Sequence, residues 1–255
     1  MILSIANNRI QSGKTTTAIN VAIHLSMMKK KVIFVDLDPQ ATATIEFKRK
    51  SIHSTYDLLK KKKNIAEIVQ KTEYENLYLI PSNINMTYIE KEFYKNPNEK
   101  QLLGELLKYL GTKFEFVIVD LPPYIGAITT ISLIHSDSIL IPLKLDHKIF
   151  QGVYPLLKMV KTIQATSNSH LHIAGILPTY LDPKSENSIE ALNMLINDFD
   201  DYLMKKSDDI ILILKNLNKK LLIHSKENRD YMHLIERIMN NNKEEKEIHK
   251  KETEK

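Results

Sequence analysis

Six short apolar runs, rich in β-branched residues, recur along this chain at intervals too long for hairpins: Ile2 to Ala6, Val32 to Asp36, Leu77 to Ile80, Phe116 to Asp120, Ser138 to Pro142 and His172 to Leu177. Runs that are apolar at nearly every position suit strands buried on both faces, and the segments between them have the length and periodicity of crossover helices. The expected architecture is an α/β fold: a doubly wound, mostly parallel sheet with flanking helices. In such sheets ligands bind beyond the carboxyl ends of the strands. Three carboxylates fall there, with Asp36 and Asp38 closing the second run and Asp120 the fourth.

The first run leads directly into Asn7-Asn8-Arg9-Ile10-Gln11-Ser12-Gly13-Lys14-Thr15-Thr16-Thr17, and an amphipathic stretch follows from Thr17 to Met28. A Gly-Lys-Thr turn between a strand and a helix aims backbone N–H groups and a helix N-terminus at an anion. It also places an ammonium and a hydroxyl for phosphate oxygens and Mg2+. The general phosphate-loop pattern has Gly where this chain has Asn8. Gly-Lys-Thr alone is a weak signal, since such tripeptides also cap ordinary helices, and Asp36 alone could cap the turn before Pro39. Asp120, preceded by four apolar residues, is placed in the manner of a Mg2+-coordinating carboxylate. The three features in this order favour a nucleotide site.

With 255 residues and 43% hydrophobic content the chain can bury a sizeable core, and residues 1–240 are expected to form a single domain. Within it Tyr231, Leu234, Ile235 and Ile238 stand at helical spacing and predict a last packing helix over Asp230 to Met239. Residues 241–255 lose periodicity and are nearly all polar or charged, the pattern of a disordered tail. There is no apolar run long enough to span a bilayer, and Met1 leads straight into a strand without a basic leader, so the expected location is cytoplasmic. The absence of Cys excludes disulfides and thiolate metal sites, and the His residues form no close ligand pair. A metal would arrive with the nucleotide. The net charge of +5 suits an acidic partner without requiring one. Lys48, Arg49, Lys50 and Lys60 to Lys63 crowd a segment whose only acid is Asp57, which reads as either a solvated face or a nucleic-acid footprint.

Taken together, the motifs resemble the ParA/Soj group of deviant Walker P-loop ATPases, the DNA-partitioning motors of chromosomes and plasmids. The family's Lys-Gly-Gly-Val-Gly-Lys-Thr-Thr falls without gaps on Arg9 to Thr16, and its Asp-x-Asp-Pro-Gln-Gly on Asp36-Leu37-Asp38-Pro39-Gln40-Ala41. Leu79 to Ile84, Asp120-Leu121-Pro122-Pro123 with Gly126, and Ile141-Pro142 followed by Asp146 and Gln151-Gly152-Val153 continue the likeness, which thins after about Ser188.

The resemblance implies an ATP-dependent homodimer that binds DNA nonspecifically on the nucleoid and is released when a ParB-type partner stimulates hydrolysis. It implies ATP and Mg2+ as cofactors, held by Gln11, Ser12, Gly13, Lys14, Thr15 and Thr16. Lys14 would hold the β- and γ-phosphates, Thr15 the Mg2+ and Thr16 the α-phosphate. Asp38 would orient the attacking water, while Asp120 would support the Mg2+, directly or through water. Arg9 stands where the family has a lysine that reaches across the dimer, and a planar guanidinium does not replace an ammonium conservatively. Two family glycines are Ile10 and Gln11 here, unfavourable residues if those positions need positive φ. Slow or partner-dependent hydrolysis is the expectation. Candidate DNA contacts, chosen by charge alone, are Lys205, Lys206, Lys219 and Lys220. With no segment ahead of Ile2 for a helix-turn-helix, operator-specific repression is not expected. Two alternatives stay open: a MinD-like or flagellar-positioning ATPase, against which the charged C-terminus speaks because it lacks an amphipathic membrane helix, and a non-hydrolysing scaffold with an altered loop.

Overall fold

The computed structural model describes residues 1–199, apart from 51, 147, 181 and 183, together with 234–236, 238 and 239. Among the described residues seven strands, β1 (Ile2–Ile5), β2 (Val32–Asp36), β3 (Gln70–Lys71), β4 (Leu77–Ile80), β5 (Phe116–Asp120), β6 (Ser138–Lys144) and β7 (His172–Thr179), alternate with helices. These are α1 (Lys14–Met27), α2 (Thr42–Glu46), α3 (Thr55–Leu59), α4 (Ile65–Ile68), α5 (Met86–Lys95), α6 (Pro97–Lys113), α7 (Ala127–Ile134), α8 (Ile149–Thr166) and α9 (Glu186–Phe199). One sheet holds the strands in the order β3-β4-β2-β5-β1-β6-β7, parallel throughout except where β3 meets β4.

All six anticipated strands are present, with β6 and β7 running to Lys144 and Thr179, past the ends that apolarity alone marks. β3 was not anticipated. It is a two-residue antiparallel edge piece, Gln70–Lys71, half exposed and without an apolar run to announce it. Side chains alternate across the sheet with the period of two that a pleated strand dictates. Leu3, Ile5, Phe34 and Ile118 face the layer of α1, whereas Ile33, Val35, Val117 and Val119 face the opposite layer, where Phe93, Leu107 and Leu110 are buried. Both faces are therefore dry, and each fully buried aliphatic or aromatic side chain contributes roughly 1.5–3 kcal/mol.

Helix α1 is enclosed along most of its length, with Ala18, Val21, Ala22 and Leu25 at most 2% exposed. Leu234, Ile235 and Ile238 are helical where described and join the same cluster, in line with the expected last packing helix; Tyr231 lies outside the described residues. A helix gripped this firmly fixes the loop that precedes it. The register does the rest: Ile5 stands opposite Asp120 on β5, and Asp36 stands opposite Asp120 from the other side. The phosphate-loop candidate and the acidic strand ends thus reach the same level at the carboxyl edge of the sheet, where β1 lies between β5 and β6.

Candidate functional site

The loop between β1 and α1 closes on Gly13, which has φ 87° and begins α1. A Cβ at Gly13 would come within 3.3 Å of Thr179 Cγ2, and the Thr179 hydroxyl donates to the Ser12 carbonyl at 2.9 Å, so the end of β7 clamps the loop. Of the two positions where the resembling family has glycine, Gln11 takes the left-handed conformation at φ 55°. Ile10 does not; its side chain is 71% exposed. The β-branched residue therefore avoids the backbone conformation it tolerates poorly, and the unbranched one adopts it. The first turn of α1 carries neither a side-chain cap nor an acidic residue, leaving its N–H groups and positive dipole end available to an anion.

Lys14 is buried, and its ammonium donates to the Arg9 carbonyl at 2.9 Å and to Ser12 Oγ at 3.5 Å. Burial lowers its pKa, while the carboxylates of Asp120 and Asp38 pull it back up. Asp36 lies at the end of β2 beneath the site. It accepts from the Thr44 hydroxyl at 2.7 Å, from Thr44 N at 3.0 Å and from Asp38 N at 3.1 Å. Burial pushes its pKa up to about 7, with the Thr44 and Asp38 hydrogen bonds opposing. Asp36 thus orders the turn that carries Asp38, whose Oδ1 in turn accepts from Gln40 N at 2.9 Å.

Asp120 is different. Both its oxygens are buried without a well-formed hydrogen bond. Burial, with the neighbouring Asp36 carboxylate, raises its pKa well above the usual range, and the Thr15 hydroxyl and the Lys14 ammonium act in the opposite direction. A buried carboxylate with unsatisfied oxygens near a threonine hydroxyl is a hard, oxygen-only donor set, which suits Mg2+.

Gln11, Ser12, Gly13, Lys14, Thr15, Thr16 and Asp38 line one open cleft of about 280 Å3. Ile10, Gln40, Thr42, Pro123 and Tyr180 complete its wall. Arg9 is not on it. Its guanidinium turns away to Asp146, which it meets at 2.8 and 2.9 Å, and donates to the Lys148 carbonyl at 3.1 Å. Those Arg9 hydrogen bonds hold the Asp146 carboxyl below the usual range. Thr42, Thr179 and Tyr180 were absent from the sequence-based site, because no motif marks them: topology alone brings the ends of β2 and β7 to the loop.

Lys205, Lys206, Lys219 and Lys220 lie outside the described residues, as does the tail at 241–255. The other basic cluster is less bare in space than in sequence. Lys60 bridges Glu92 and Glu99 at 3.3 and 2.9 Å, Lys63 meets Glu67 at 2.9 Å and Lys48 meets Glu73 at 4.0 Å. Among the described residues, no helix is long and apolar enough to cross a membrane.

Comparison with known proteins matches residues 1–173 to the profile of an AAA domain. The chain is 30% identical over 207 residues to the sporulation initiation inhibitor protein Soj of Bacillus subtilis, covering 80% of this chain and 82% of that one. It is 32% identical over 187 residues to the chromosome partitioning protein ParA of Myxococcus xanthus, covering 72% and 66%. Among solved structures it is similar to cobyrinic acid a,c-diamide synthase from Mycobacterium smegmatis with bound ATP analog and magnesium, at TM-score 0.72 and 26% identity over 78% of this chain and 82% of that one.

Proposed function

We propose, for a chain that belongs to the ParA/Soj family of P-loop ATPases, that Gln11 to Thr16 bind the phosphates of Mg-ATP and that Asp38 and Asp120 serve its hydrolysis. The observation that carries this reading is Asp120: a fully buried carboxylate, unsatisfied on both oxygens, beneath the uncapped start of α1. The Thr15 hydroxyl and the Lys14 ammonium compensate it only in part, since its pKa stays well above the usual range, and a divalent cation would complete the compensation.

The bound nucleotide supplies the phosphoryl group to be transferred and its Mg2+ neutralises charge there. Lys14, now resting on the Arg9 carbonyl, is placed to move onto β- and γ-phosphate oxygens. The Thr15 hydroxyl and Asp120 would hold the cation, Asp120 directly or through water, and Thr16 would reach the α-phosphate. Asp38, which also lines the cleft, would orient the attacking water. This division of labour fits phosphoryl transfer, where positioning and charge neutralisation supply most of the catalysis.

The fuller reading is a cytoplasmic, nucleoid-associated partitioning ATPase that dimerises with ATP, binds DNA nonspecifically and lets go when a ParB-type partner stimulates turnover. Its support is the kinship with Soj and ParA proteins and the net charge of +5. Arg9 would serve the partner subunit's phosphates, after leaving Asp146. Calorimetry with Mg-ATP on the wild type and on Lys14→Ala tests the core of the proposal. Micromolar-range binding that the variant loses supports it; no binding by the wild type leaves a nucleotide-independent scaffold as the better reading.

A further inference from the structure

Among the described residues, seven other than glycine have positive φ: Gln11, Lys29, Ala41, Lys48, Lys61, Asn76 and Tyr180. Most have an ordinary reason. Lys29, Lys48 and Lys61 each follow a helix end, where the next residue's N–H turns back to a carbonyl of the last turn, as a left-handed terminus requires. Asn76 is of a type that tolerates this region. The remaining three, Gln11, Ala41 and Tyr180, all stand at the carboxyl edge of the sheet: Gln11 and Tyr180 line the cleft and Ala41 lies between its wall residues Gln40 and Thr42. Left-handed backbone in a bulky residue persists where the surroundings over-determine it, and such positions gather at ligand clamps.

Tyr180 is the least suited of the three to that conformation and, among the described residues, the only aromatic one on the cleft wall. Its placement is firm, because the preceding Thr179 is fully buried and bonded to the Ser12 carbonyl. Tyr180 is 36% exposed. Lys144 Nζ lies over the ring, 5.8 Å from its centroid, and Lys144 does not line the cleft, whereas Tyr180 does. A π-face backed by a cation and presented beside a phosphate loop is chemistry for a flat heterocycle, not for a phosphate.

We propose that Tyr180 is the platform on which the base of the bound nucleotide stacks, with Lys144 supporting the ring from behind. This rests on the nucleotide reading above and adds to it the residue that recognises the base. Calorimetric titration of the full chain with Mg-ATP and, separately, with magnesium tripolyphosphate, which has phosphates and no base, tests it. Tyr180→Asn removes the ring while keeping a residue that accepts positive φ, and Tyr180→Phe keeps the ring. The expected result is about tenfold or greater weakening of Mg-ATP binding in Tyr180→Asn, near wild-type binding in Tyr180→Phe and equal tripolyphosphate binding in all three. Lys144→Met is expected to weaken Mg-ATP binding about two- to fivefold. Wild-type Mg-ATP affinity in Tyr180→Asn, or an equal loss toward tripolyphosphate, overturns the base platform alone. Failure of the wild type to bind Mg-ATP at all overturns the nucleotide reading and this inference with it.

Discussion

The guanidinium of Arg9 and the carboxylate of Asp146 meet in two parallel hydrogen bonds, Nη1 to Oδ1 at 2.9 Å and Nη2 to Oδ2 at 2.8 Å. Such a fork is the strongest form of the Arg–carboxylate pair, and here both side chains are only about a fifth exposed, at 20% and 23%. The cation that the family resemblance assigns to a partner subunit is therefore held within its own chain. On the proposed reading, dimerisation would have to break that pair before Arg9 could reach across.

Asp146→Asn separates these roles, because the amide oxygen can still accept from Lys148 N at the start of α8, as Asp146 Oδ1 does at 2.9 Å. A partly exposed pair contributes roughly 0.2–1 kcal/mol, so the variant is expected to dimerise with Mg-ATP at about two- to fivefold lower concentration. Arg9→Ala is expected to abolish the ATP-dependent dimer. Sedimentation velocity across a concentration series reads both. An unchanged midpoint in Asp146→Asn would mean that Arg9 takes no part in association.

Asp120 and Asp36 give the site a pH dependence of definite sign. Both pKa values lie above those of an unfolded carboxylate, so the native state holds protons that the unfolded chain has released. Their contribution to stability accordingly falls as pH rises from the usual carboxylate range through about 7, the value for Asp36. Lys14, lowered by burial, works in the opposite sense but on the alkaline side. A cation held by Asp120 would compete with its proton, so Mg-ATP binding is expected to release up to about one proton, the more so as pH falls. Calorimetry in two buffers of different ionisation enthalpy measures the release, and Asp120→Asn should abolish it.

Glu90 on α5 closes the start of α7, accepting from Ala127 N at 2.8 Å and Ile128 N at 3.0 Å. Gly126 makes room for it, since a Cβ there would lie 2.5 Å from Glu90 Oε1. The pair pins the far end of the segment that begins at Asp120. Gly126→Ala is expected to expel the carboxylate and cost about 1–2 kcal/mol, and Glu90→Gln about 0.5–1 kcal/mol through the lost charge at the helix N-terminus. Urea unfolding should show both as lower midpoints with unchanged slopes. If Gly126→Ala has the wild-type midpoint, Glu90 has moved at no cost and the cap is dispensable.

The loop substitutions separate in the same way. Ile10 borders the cleft but is largely exposed and lacks positive φ, so Ile10→Gly should leave Mg-ATP affinity within about threefold of wild type. Gln11 carries the left-handed backbone, and Gln11→Gly relieves roughly 1–2 kcal/mol of strain against a comparable loss from the more flexible unfolded chain. Its net effect on thermal stability should be small. A large loss of binding in Ile10→Gly would show that the exposed side chain closes over the ligand.

How much of this was legible beforehand follows from what the chain writes locally. Buried parallel strands write themselves as apolar runs, so six strands and the meeting of Gly13, Lys14, Asp38 and Asp120 could be read directly. β3 could not, because two half-exposed residues on an edge need no apolar pattern. Tyr180 and Thr179 reach the phosphate loop only because β7 lies two strands from β1, a neighbourhood set by sheet order and not by spacing along the chain. The partners of Lys60 were hidden for the same reason: Glu92 and Glu99 belong to α5 and α6, far downstream. Arg9 was read for its charge, which is local, but its partner Asp146 is a tertiary fact.

DNA binding makes the last test, and it turns on salt. Lys205, Lys206, Lys219 and Lys220 were chosen for charge, while in the other basic cluster Lys48, Lys60 and Lys63 are paired with glutamates. If the four lysines contact phosphates, each releases condensed counterions, and the slope of log affinity against log salt falls by about 0.9 per contact on duplex DNA. Replacing all four with Gln should then flatten the slope by about 3–4 and weaken binding equally on unrelated sequences. The wild type should bind more tightly with Mg-ATP than without. Fluorescence anisotropy on two duplexes of different sequence, at several salt concentrations, reads affinity and slope together. A wild-type slope near zero would remove electrostatic DNA binding, whereas a steep slope unchanged in the quadruple variant would move the contacts to other basic residues and leave the binding itself standing.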